Sequence, residues 1–259
     1  MVELTPAAHV RTTAEPRQKR PESLRLRLFD GFELRRGQEQ LPLPLNSQRL
    51  IALLGLREST TRGQAGGILW PEVSEQQAGG RLRTTLWRIQ RTGWAIVECR
   101  GQLALAPGIE VDVRTWLRSA RSVLDDPGAA DLAQLAAVRP VGDLLPGWYE
   151  DWVLVERERL RQLQLHTLET ASGRLLKEGR HADALESGMR AVQLEPTRES
   201  AHRAVIRVHL AEGNLGEAVR QFEACRAVLR SELGVGPSPL LQALLCEEEL
   251  PLGLGRTGW

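Results

Sequence analysis

The stretch Ser74 to Trp94, SEQQAGGRLRTTLWRIQRTGW, constrains the fold of this chain more than any other. Ser74 followed three places later by Gln77 has the form of a helix capping box, and Pro71 closes the segment before it. Ala78, Leu82, Leu86 and Ile89 recur at steps of four, four and three, which puts them on one face. At about 100° per residue, Thr84, Trp87, Arg88 and Arg91 fall on the opposite half, with Arg81 and Arg83 on its flanks. No acid interrupts the run from Gln76 to Arg91. A solvated surface helix ordinarily interleaves both signs of charge. One-signed charge on a helix set after a short turn suits the major groove of DNA. A basic surface helix that touches nothing is the alternative these residues leave open.

The flanking segments predict what carries this helix. Met1 to Glu22 holds Pro6, Pro16 and Pro21 and no hydrophobic period, so 1–22 reads as a flexible leader. Leu24, Leu26 and Leu28 then alternate with arginines, and Phe32 and Leu34 follow the turn Asp30-Gly31. Arg36-Gly37 makes a second turn before a third short strand, Leu41 to Leu43. Asn46 or Ser47 is placed to cap a helix running through Leu54, and Thr60 or Thr61 caps another from about Arg62 to Trp70. Gly63, Gly66 and Gly67 weaken that second helix by roughly 1 kcal/mol each relative to Ala. After Trp94, Ile96/Glu98 and Leu103/Leu105 spell a hairpin with Arg100-Gly101 at its tip. Sheet, three helices and terminal hairpin amount to an α+β winged helix-turn-helix domain over 23–107.

Beyond Pro107 the pattern is helical only. Thr115 to Leu124 and Asp131 to Val138 are two amphipathic pieces, and a long helix starts near Asp151. Its Leu160, Leu163, Thr167, Ala171 and Leu175 form a buried stripe. Gly179 to Leu185 then matches Gly213 to Val219 after a shift of 34 residues, with Gly179/Gly213 and Ala184/Ala218 identical. That is the tetratricopeptide period, with Pro196 breaking between the units and Phe222 four places after Ala218. The region 108–250 is therefore expected to be an all-α tetratricopeptide-like domain, an irregular helical bundle being the alternative. A last helix runs from Leu240 to Glu249, and 251–259 is a tail.

Charge follows the same division. The net charge is only +1, but residues 25–107 carry twelve basic groups against seven acidic, and residues 108–259 eighteen against twenty-three. A basic module joined to an acidic one suggests a polyanion partner for the first alone. Nearly all the basic groups are arginines, which suits guanine edges and phosphates but also follows from a GC-rich genome. Cys99, Cys225 and Cys246 have neither disulfide nor zinc spacing. No apolar run of about 18 residues and no apolar leader core occur, so a cytoplasmic protein without membrane contact is expected.

Nothing points to catalysis. GxSxG, HExxH and GxxxxGK[ST] are all missing, and no cofactor or metal is expected. His166, His202 and His209 lack metal spacing, while Glu150, Asp151, Glu156 and Glu158 sit among Arg157, Arg159 and Arg161 as a charged helix face. Trp70, Trp116, Trp148 and Trp152 read as packing residues.

Three segments carry a family resemblance: LWPEVSEQQAGGRLRTTLWRIQR, LLPGWYEDWVLVERERLRQLQLHTLE and LGVGPSPLLQALL. From about Leu24 to Glu249 the chain resembles the Streptomyces antibiotic regulatory protein (SARP) family, with an OmpR-like winged helix and a bacterial transcriptional activation domain. The resemblance implies a transcriptional activator that binds promoter direct repeats as a side-by-side pair. Its further partners would be RNA polymerase and the sigma factor. Carried onto this chain, the recognition positions are Arg81, Arg83, Thr84, Trp87, Arg88 and Arg91, with Gln48, Arg49, Arg62 and Arg100 holding phosphates. By the same analogy the turn Trp70, Pro71, Glu72, Val73, Ser74 and Glu75 faces polymerase. Trp87 stays open between contact with sugar or a thymine methyl, which its outward angle suggests, and packing against the wing.

Two departures stand out. Gly79-Gly80 replaces helix formers, so the first turn is expected to fray and to aim Arg81 poorly. The nucleotide-binding module of the large family members has no counterpart, which implies a short, two-domain member. The rival reading is a helical-repeat adaptor that uses its winged helix as a second protein-docking module.

Overall fold

The computed structural model describes residues 23–125 and 142–246. Leu24–Arg27 (β1) and Glu33–Arg36 (β2) pair antiparallel, and Glu39–Gln40 (β3) continues from β2 after Gly37, whose φ of 58° makes the turn. The third strand thus lies earlier than the expected Leu41 to Leu43. Beyond Gln40 the pairing persists as one bond from the Leu41 amide to the Leu34 carbonyl.

Three helices follow: Leu45–Leu56 (α1), Arg62–Leu69 (α2) and Glu75–Gln90 (α3). The cap of α1 differs from expectation. Pro44 holds the N-cap position with no side-chain bond, Asn46 and Ser47 lie inside the helix, and Ser47 is fully buried. The fixed φ of Pro44, −59°, starts the helix without a capping hydroxyl. For α2 and α3 the capping boxes form, Thr61 with Gln64 and Ser74 with Gln77. Gly79 and Gly80 stay within α3, so the expected fraying is not seen.

Val97–Arg100 (β4) and Gln102–Leu105 (β5) make the wing about Gly101, which has φ 76°. A two-bond bridge between Thr60 and Leu103 ties the wing to the α1–α2 connection.

The chain then returns to the first sheet. Glu110–Val111 (β6) adds parallel to β1, giving the order β3-β2-β1-β6, and Asp112–Asp125 (α4) leaves directly from it. After the gap in the described residues, Leu144 bridges Phe29, and the Leu145 amide donates to the Leu28 carbonyl. The core is consequently continuous across position 107. Leu26, Leu28, Leu50, Leu54, Val113, Trp116, Leu144, Leu145 and Val153 belong to one buried cluster. Two arginines stitch the same junction from either side. Arg114 donates to the carbonyls of Leu54, Gly55 and Arg57 at the end of α1, and Arg157 to those of Leu144, Leu145 and Trp148.

Asp151–Lys177 (α5), His181–Leu194 (α6), Glu199–Ala211 (α7) and Leu215–Leu233 (α8) pack as successive antiparallel pairs, closed by Pro239–Cys246 (α9). The 34-residue repeat is visible in detail. Gly179 and Gly213 end α5 and α7 with φ 73° and 72°, and Ala184 and Ala218 are fully buried one turn into α6 and α8. His202 is buried between units, bonded through Nε2 to the Pro196 carbonyl and through Nδ1 to the Gln221 amide. The predicted piece Asp131 to Val138, the leader and the tail lie outside the described residues, as does the end of the helix expected to reach Glu249.

Candidate nucleic-acid interface

Helix α3 is positioned by its apolar stripe. Ala78, Leu82, Leu86 and Ile89 are all buried, joined by Thr85, whose hydroxyl donates to the Arg81 carbonyl. Ala78 sits against Gly66 of α2, where an added Cβ would stand 3.4 Å from the Ala78 Cβ. Small residues thus let α2 and α3 approach closely.

The side of α3 turned away from the core carries Thr84, Trp87, Arg88 and Arg91, all exposed. Arg83 and Arg88 make no ion pair among the described residues. The Arg83 guanidinium folds back along the helix, within 4 Å of where Cβ atoms would stand on Gly79 and Gly80. Arg91 places its guanidinium 4.8 Å from the centre of the Trp87 ring, and Trp87 is 53% exposed. It therefore does not pack under the wing. Arg62 is exposed at the first turn of α2, and Arg100, 88% exposed at the wing tip, has only a loose 3.7 Å approach to Glu98.

Other expected positions are engaged elsewhere. Arg81 pairs with Glu72 at 2.8 Å, which tethers the α2–α3 turn to the helix. The Glu72 carboxyl lies below its usual range, held there by a backbone hydrogen bond and then by Arg81. Arg49 faces inward as a structural tie: it donates to the Leu69 carbonyl at 2.7 Å and pairs with Glu150 at 2.8 Å. Gln48 donates to the Leu43 carbonyl at 2.7 Å. The phosphate role expected of these two finds both side chains already bonded within the fold. Trp70 is only 3% exposed, so of the turn expected to face polymerase the surface is Pro71, Glu72, Ser74 and Glu75, with Val73 half-buried.

Elsewhere, in α5, Glu156 pairs with Arg159 and Glu158 with Arg161. The Arg161 bond holds Glu158 down to about 2. No cluster of metal-ligating side chains occurs among the described residues, and none of their helices is long and apolar enough to cross a membrane. The sequence had no signal for the junction contacts of Arg49, Arg114 and Arg157, because each partner lies at a distance set only by the fold.

The bacterial transcriptional activator domain profile matches residues 100–247, more than half of the chain. The chain belongs to the SARP family of transcriptional regulators. "Regulatory protein AfsR" of Streptomyces coelicolor is 30% identical over 227 residues, covering 83% of this chain and 22% of that protein. Its namesake from Streptomyces griseus is 28% identical over 252 residues, covering 88% and 25%. The chain thus spans about a quarter of the length of these relatives. Among solved structures, EmbR of Mycobacterium tuberculosis, in complex with a low-affinity phosphopeptide, superposes with a TM-score of 0.71 at 15% identity, covering 89% of this chain and 66% of that one. The shared architecture is a winged helix followed by a helical domain.

Proposed function

We propose that this SARP-family regulator is a cytoplasmic, sequence-specific DNA-binding activator that seats α3 in the major groove of promoter direct repeats as a side-by-side pair. The observation that carries this reading is the outward side of α3: Arg83, Arg88 and Arg91 stand exposed on a helix whose opposite face is buried. Arg62 and Arg100, exposed on the preceding helix and the wing, supply phosphate contacts to either side. No chemistry on a substrate is required. The protein acts by position, offering RNA polymerase and its sigma factor the turn from Pro71 to Glu75 and the acidic helical domain.

Footprinting over the protein's own upstream region, with and without polymerase, tests this. Two protected repeats are expected, with protection extending into the promoter when polymerase is added. Absence of any protected site, with the helical domain capturing a protein partner instead, would favour the adaptor reading.

A further inference from the structure

From Gly80 to Trp87 the central line of the outward side of α3 bears no charged residue of its own. At about 100° per residue, Gly80, Thr84, Trp87 and Arg91 share the meridian opposite the buried stripe, with Arg83 and Arg88 to its two sides. Gly80 contributes no side chain. The Thr84 hydroxyl donates to the Gly80 carbonyl at 3.2 Å, which leaves its methyl as the remaining feature. Trp87 is half exposed, and the Arg91 guanidinium lies over one face of its ring. Side chains on a helix lean toward its N-terminus, which directs the indole over the turn that carries Thr84. Beside Gly80 only the flexible end of Arg83 comes within 4 Å of where a Cβ would stand. Among Gly80, Thr84 and Trp87, the indole N–H is the one side-chain donor without a partner among the described residues, and the guanidinium groups of Arg83, Arg88 and Arg91 surround it.

Of the features that the four standard bases present in the major groove, one is apolar: the C5 methyl of thymine. We propose that Trp87, with the Thr84 methyl beside it and Arg91 holding the ring in place, is a specificity-determining residue that reads thymine methyl groups within each repeat. This rests on the DNA-binding reading above. Gly80 presents no side chain, and the flexible Arg83 guanidinium beside it can swing aside to let a base edge reach the indole. Because 5-methylcytosine carries its methyl at the same groove position, it substitutes in part for thymine at the contacted step.

The experiment selects a site from a random duplex library with the full chain, then measures affinity for that duplex with each thymine replaced in turn by deoxyuridine. Burying one methyl at about 0.8 kcal/mol corresponds to about a fourfold loss at the contacted thymine. The wild type is expected to show that loss at one or two positions per repeat, Trp87→Ala to show none there, and Trp87→Phe to retain part of it. Trp87 is exposed, so the variants should melt like the wild type. Specific binding with equal affinity for thymine and deoxyuridine at every position, or a loss that persists in Trp87→Ala, overturns the inference and leaves the DNA-binding reading intact. Failure to enrich any sequence overturns both.

Discussion

Asp112 shows at a single residue how the two halves are joined. Its carboxylate, at the start of α4, accepts the backbone N–H groups of Leu28, Phe29 and Val113. Burial raises its pKa above the ordinary aspartate value, against those three bonds. A carboxyl raised on folding binds more protons in the native than in the unfolded state, so its contribution is fully present below the unfolded pKa. That contribution is lost as pH rises through the folded value. Asp112→Asn should remove this dependence from the pH profile of stability. It should also cost about 1–3 kcal/mol, because the amide nitrogen would meet backbone donors where an oxygen stood. Chemical denaturation from pH 3 to pH 7 reads both effects, and an unchanged profile would remove Asp112 from the account. Residues of this kind were not legible in the sequence: Asp112 looks like any acid at a helix start, and Arg49 like any exposed arginine, until the fold supplies Leu28 and Glu150.

Helices are where local pattern and structure agree best. The capping box and the stripe of α3 depend on neighbours three and four residues apart and formed as read. Of the two threonines placed to cap α2 it is Thr61 that does so, in a box with Gln64. The start of α1 was misplaced because proline geometry, and not a hydroxyl, sets it. The glycines separate into two kinds. A Cβ on Gly67 would meet nothing, so Gly67→Ala should stabilise the protein by about 0.5–1 kcal/mol through helix propensity and backbone entropy. Gly80→Ala should stabilise the helix similarly, since its only near neighbour is the flexible end of Arg83 at 3.8 Å. It should nevertheless weaken promoter binding, because the added methyl occupies the face turned to DNA. Thermal melts paired with binding isotherms distinguish the two, and a Gly80→Ala variant that binds as well as wild type would place that face elsewhere.

The basic and acidic halves share one buried core across their junction in the described residues, from Leu26 to Leu160. The charge asymmetry and the change to an all-helical pattern near Pro107 suggested a boundary there, but β6, Trp116, Leu144, Leu145 and Val153 complete the core beneath the winged helix. Burying large apolar side chains contributes about 1.5–3 kcal/mol each, so removing these leaves a deficit comparable to the net stability of a domain. A fragment ending at residue 107 should therefore lack a cooperative thermal transition. Cooperative melting of that fragment at the temperature of the full chain would contradict the shared core.

Contact between the exposed arginines of α3 and DNA is read out by a salt titration of affinity for the protected upstream fragment. Wild type should give a steep linear fall of log affinity with log salt. The Arg88→Ala/Arg91→Ala double variant should bind much more weakly to the selected site, with a slope shallower by about 0.9 for each arginine that meets a phosphate. An arginine that reads a base instead appears as lost discrimination against altered sites, worth about 1–3 kcal/mol. A double variant with unchanged affinity, slope and discrimination would contradict the account.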